Sequence, residues 1–129
     1  MFSPKGRILC TEDDADTRDL LILTLNLAGY EVVCSEDAEH AFDMIKKEQF
    51  DLYLLDNWLP NLSGMDLCGR IREFDTTTPI LFYSGAAFQH DKERAFKAGA
   101  QGYLVKPVLP DVLISEVSKL LPRGDRVIV

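Results

Sequence analysis

Five short apolar runs, rich in β-branched and aromatic residues, punctuate this chain, and a helical pattern follows each of them. The runs occupy residues 8–11, 32–34, 52–55, 80–83 and 103–105. Those around Leu9, Leu54 and Leu81 are continuously apolar rather than alternating, the mark of strands covered on both faces. Between the runs, the spacing predicts a first helix over residues 15–28, apolar almost all round and therefore expected to be deeply packed, with Gly29 ending it. A second helix carries Ala38, Ala41, Phe42 and Ile45 at helical spacing. A third starts at Ser63, a suitable N-cap, and is expected to bury Leu67, Ile71 and Phe74. A fourth covers residues 89–98 with Gly99 closing it. A fifth begins near Pro110 and turns Leu113, Val117 and Leu120 inward. Strands alternating with helices across short loops demand a parallel sheet, right-handed crossovers and helices on both faces. The fold class is a doubly wound α/β domain.

The 129 residues suit one domain. Residues 1–121 read as that domain, and 122–129 as a tail or the start of a linker. A net charge of −7 argues against direct nucleic-acid binding and against an anionic membrane surface. No apolar run approaches the roughly 20 residues needed to span a bilayer, and the first residues lack the apolar core of a signal peptide. Cys10, Cys34 and Cys68 have no metal-binding spacing and read as reduced thiols, which points to a cytoplasmic protein.

Open α/β sheets bind ligands beyond the carboxyl ends of their strands, so the residues following each run matter most. Glu12, Asp13 and Asp14 follow the first, Asp56 the third, Ser84 the fourth and Lys106 the fifth. Like charges about 4 Å apart repel by about 4 kcal/mol at an effective dielectric of 20. One ammonium, from Lys106, cannot neutralise Glu12, Asp13 and Asp56 together. A divalent cation can. An all-oxygen set without nearby His or Cys favours Mg²⁺, with Mn²⁺ able to substitute. Beside such an ion, the Asp56 carboxylate can act as a nucleophile towards phosphorus, with Ser84 and Lys106 positioned for the phosphoryl oxygens. Singly, each signal is bland: acidic residues before a helix often serve its dipole, and Ser84-Gly85 alone reads as a loop. Their shared placement at strand tips is the specific feature.

Four motifs together resemble the response-regulator receiver domains of two-component signalling. They are Ile8-Leu-Cys-Thr-Glu-Asp-Asp14 with Arg18, Leu54-Leu-Asp-Asn-Trp-Leu-Pro60 with Ser63-Gly64, Ser84-Gly85, and Gly102-Tyr-Leu-Val-Lys-Pro107. The resemblance spans about residues 6–121 and implies a flavodoxin-like sheet of order 2-1-3-4-5. It implies that Asp56 accepts phosphate from a sensor histidine kinase or phosphotransfer protein, and that the chain is a phosphoacceptor rather than an enzyme. Asp13 resembles the direct Mg²⁺ ligand, Glu12 the ligand acting through water, and the Trp58 carbonyl a further ligand. Ser84 resembles the hydroxyl switch residue, Tyr103 the aromatic switch expected to move in from the surface, and Lys106 the site lysine, with a cis bond at Pro107. The output target or output domain is implied to bind the face of the fourth helix, fifth strand and fifth helix. Two departures, Trp58 and Ala86, lead to the expectation of slow self-dephosphorylation. His40 and His90 match no functional position.

Overall fold

The computed structural model describes residues 5–121, so the expectation for residues 122–129 lies outside the described residues. Strands β1 (Arg7–Thr11), β2 (Glu31–Ser35), β3 (Leu52–Leu55), β4 (Ile80–Ser84) and β5 (Gly102–Val105) alternate with helices. The helices are α1 (Ala15–Leu27), α2 (Ala38–Lys47), α3 (Gly64–Arg72), α4 (Gln89–Ala98) and α5 (Pro110–Leu120). All strand pairs are parallel, in the order β2-β1-β3-β4-β5. The expected architecture and strand order are both present.

Alternate side chains of a strand point to opposite faces, and this divides the core in two. Leu9, Tyr53, Leu55 and Phe82 face Ala41 and Ile45 of α2, Leu67 and Ile71 of α3 and Ala95 of α4. Ile8, Cys10, Leu54 and Leu81 face Leu21 and Leu25 of α1 and Leu113 and Val117 of α5. The starts of α1, α2 and α3 are capped by short side chains. Asp14 accepts from the Thr17 amide at 2.9 Å, Asp37 from His40 at 2.8 Å and Ser63 from Asp66 at 3.0 Å. Helix α4 ends on Gly99, whose φ of +116° is left-handed and favours a residue without a Cβ.

Three packing expectations need correction. Helix α1 is not deeply packed all round: Leu21 and Leu25 are buried, whereas Leu20, Leu23 and Leu27 are 57%, 56% and 80% exposed. The helix covers the sheet with one stripe, and its remaining leucines face outward. Phe74 lies beyond the last residue of α3, is largely exposed, and meets Phe42 edge-on at 5.7 Å. Near the end of α5, the fully inward position belongs to Leu121 rather than to the half-buried Leu120.

Candidate functional site

The sheet reverses its strand order between β1 and β3, and the carboxyl ends of these two strands open the crevice where such folds bind ligands. Both tips are fixed by backbone hydrogen bonds. The Glu12 amide donates to the Ser35 carbonyl at 3.0 Å, and the Asp56 amide to Thr11 at 3.3 Å. Glu12 and Asp56 are thereby held 2% and 4% exposed, while Asp13, one residue on, is open to solvent. One carboxylate oxygen from each of Glu12, Asp13 and Asp56 can be chosen so that all lie within 4.8 Å of one another.

Lys106, one residue past β5, reaches into this group. Its Nζ lies 2.7 Å from Glu12 Oε1 and 3.0 Å from Asp56 Oδ2. The second Asp56 oxygen accepts the Trp58 amide at 3.0 Å, and the second Glu12 oxygen accepts the Asp14 amide at 3.2 Å. Burial raises the Glu12 carboxyl above its ordinary value, against the opposing pull of Lys106 and the Asp14 amide. Burial alone would lower the Lys106 ammonium, but its bonds to Glu12 and Asp56 outweigh that and raise it. The site therefore carries three acidic groups against one ammonium. That imbalance, with a donor set made only of oxygens, fits a hard divalent cation. Glu12, Asp13 and Asp56 are the residues that could hold it.

The loop after β3 is shaped by residues whose part was not visible from spacing. Asn57 accepts the Met65 amide on its side-chain oxygen at 3.0 Å and the Gly64 amide on its carbonyl at 3.2 Å, tying the loop to the start of α3. Gly64 packs so closely that a Cβ there would overlap the Asp56 carbonyl oxygen. Trp58 follows with its indole 66% exposed. Tyr83 was also missed. Its ring lies 5.2 Å from Lys106 Nζ and forms one wall of the ammonium's surroundings. Its only sequence signal is an aromatic residue one position before Ser84.

Ser84 and Tyr103 connect through Ala86. The buried Ser84 Oγ accepts the Ala86 amide at 3.2 Å, and the Tyr103 hydroxyl donates to the Ala86 carbonyl at 2.6 Å. Tyr103 also stacks on Phe82, its register partner across β4 and β5, at 5.6 Å. In this structure the Tyr103 ring is half-buried and turned inward. The Ala86 carbonyl and the Phe82 ring face provide the seat. The Lys106–Pro107 peptide is cis, as expected. His40 and His90 are exposed and lie outside the acidic group, with His90 stacked on Phe88.

A doubly wound domain with clustered carboxylates at its β1 and β3 tips and a lysine from β5 defines the receiver class of signalling domains. Residues 8–118 match the family described as the response regulator receiver domain, and the chain belongs to that family of two-component signalling domains. It is 37% identical over 117 residues to the transcriptional regulatory protein YrkP of Bacillus subtilis, covering 91% of this chain and 50% of that protein. Among solved structures, a response regulator candidate from Chloroflexus aurantiacus is 35% identical with a TM-score of 0.88, covering 94% of this chain and 100% of that one. The chemotaxis protein CheY4 of Vibrio cholerae is 28% identical with a TM-score of 0.85, over 94% of this chain and 100% of that one. The chain spans about half the length of the curated relatives it matches.

Proposed function

We propose that the domain is a phosphorylation-dependent switch in which Asp56 accepts a phosphoryl group from a sensor histidine kinase or phosphotransfer protein. The observation carrying this reading is the approach of Glu12, Asp13 and Asp56 to within 4.8 Å of one another beside a single lysine. A bound Mg²⁺, or Mn²⁺ in its place, would offset charge at the transferring phosphoryl group. Asp13 and Asp56 would hold it directly, Glu12 through water, and the Trp58 carbonyl would complete the protein's share.

In the transfer, an Asp56 carboxylate oxygen forms the new O–P bond as the donor's P–N bond breaks. Lys106 pairs with one phosphoryl oxygen and Ser84 donates its hydroxyl to another. The product carries roughly −1.5 to −2 of added charge. When Ser84 turns towards it, the Ala86 amide loses its acceptor, and the loop that seats Tyr103 is re-aimed. That biases the α4–β5–α5 face between two arrangements. Phe88, Phe96, Leu109 and Val112 are exposed large apolar residues on or beside α4 and α5, which suits a surface that binds a protein target or output domain.

The domain acts as a phosphoacceptor that assists its own chemistry, not as a turnover enzyme, and its place is the cytoplasm. Because YrkP is named a transcriptional regulatory protein, an output domain in a longer protein would contact DNA, while this acidic domain would not. Among the described residues, no helix is long and apolar enough to cross a membrane.

The test is treatment with acetyl phosphate and Mg²⁺ followed by intact mass measurement. Wild type should gain one phosphoryl group, lost when the metal is chelated beforehand, and Asp56→Asn should gain none. Persistent single phosphorylation of Asp56→Asn would refute the nucleophile assignment.

A further inference from the structure

Cys10 on β1 and Cys34 on β2 are register partners in the parallel pairing. Both point to the α1/α5 face, Cys10 buried within its core cluster and Cys34 packed against it. Neighbouring strands run about 4.7–4.9 Å apart, inside the roughly 4.4–6.8 Å Cα separation that a disulfide spans. Cys34 lies on the edge strand and is half-buried, so a small reagent can reach it, while Cys10 is 1% exposed behind it. Cys68 is placed differently: it is buried on α3, and its S–H points to the Ala98 carbonyl at 3.5 Å.

We propose that Cys10 and Cys34 form an oxidation site, a thiol pair that a peroxide-class oxidant converts into a disulfide between β1 and β2. In the first step the Cys34 thiolate attacks one peroxide oxygen and the O–O bond breaks. Cys34 becomes a sulfenic acid, and the departing hydroxide takes up a proton to leave as water. In the second step the Cys10 sulfur attacks the Cys34 sulfur, the S–O bond breaks, and a second water leaves with the Cys10 proton. One peroxide is reduced to two waters while two thiols lose two electrons and two protons. The bond closes the edge strand onto β1 two residues before Glu12, beneath the Glu12 amide that already donates to Ser35. It thus joins an oxidisable element to the acidic site without using any residue of it.

The inference does not depend on the phosphoacceptor reading, and wild type and Asp56→Asn serve as parallel samples. Each folded protein is exposed to hydrogen peroxide, alkylated, and digested without reductant. The expected product in both is a peptide containing Cys10 joined to one containing Cys34, from a monomer whose mass has fallen by two hydrogens. Dithiothreitol should reverse it, and Cys68 should be recovered alkylated after denaturation. Cys34→Ser, a change on a half-buried edge position, should abolish the linked peptide and leave Cys10 reduced. Oxygen added to Cys34 without linkage, a link to Cys68, or a link only between two molecules would overturn the proposal.

Discussion

The proposed phosphoacceptor role makes the residues two positions after Asp56 and Ser84, Trp58 and Ala86, the ones to test for control of water. Trp58 donates its amide to Asp56 and carries a bulky indole where a polar group could direct a water. Ala86, whose carbonyl accepts from Tyr103, carries only a methyl group two residues after Ser84. If Asp56 is phosphorylated as proposed, neither residue would offer a polar side chain to orient an attacking water. Trp58→Asn is expected to shorten the acyl-phosphate lifetime by about tenfold, a barrier change of about 1.4 kcal/mol. Following loss of the phosphoryl group by mass in both proteins measures this, and equal lifetimes would count against the role given to Trp58. That Asp56 and Lys106 would converge was legible from their positions just past apolar runs. The part of Tyr83 was not, because an aromatic residue inside a strand reads as core whichever charged group its ring meets.

Helix α1 shows where periodicity stops informing. With apolar residues on nearly every face, its sequence hides which stripe is inward, and the expectation of full burial failed. Contact with the sheet decided it: Leu21 and Leu25 pack into the core, and Leu20, Leu23 and Leu27 do not. Leu25→Ala should therefore cost about 2–5 kcal/mol, the range for a buried leucine that leaves a cavity. Leu23→Ala on the same helix should stay within about 0.5 kcal/mol. Urea denaturation of the two variants separates them, and similar losses would mean that α1 is packed on both sides. Helix α4 was easier to read, because Gly99 is needed for its left-handed turn and so marks the end. Phe74 was harder, since helical spacing continued past the point where α3 stops.

For the molecule as a whole, a cation held in the acidic crevice as proposed would link binding to stability. Glu12 and Asp56 are buried with only Lys106 between them, and Asp13 adds a third charge at the rim. A cation that binds the folded form alone, at about 100 times its dissociation constant, stabilises by about 2.7 kcal/mol. Thermal unfolding of wild type should therefore shift upward by several degrees on adding Mg²⁺. Asp13→Asn should fold at least as stably without metal, because one repelling charge is gone, and should lose most of the Mg²⁺-dependent rise. An unchanged rise in that variant would move the cation away from Asp13. The alternation of elements, the residues at the strand tips and the excess of acid over base are properties of the chain, because local period and charge follow directly from residue order. The separation of Glu12 from Asp56, the docking of Tyr103 on Phe82 and the pairing of Cys10 with Cys34 belong to the tertiary structure. Register between strands far apart in sequence is fixed only when both faces of the sheet are packed at once.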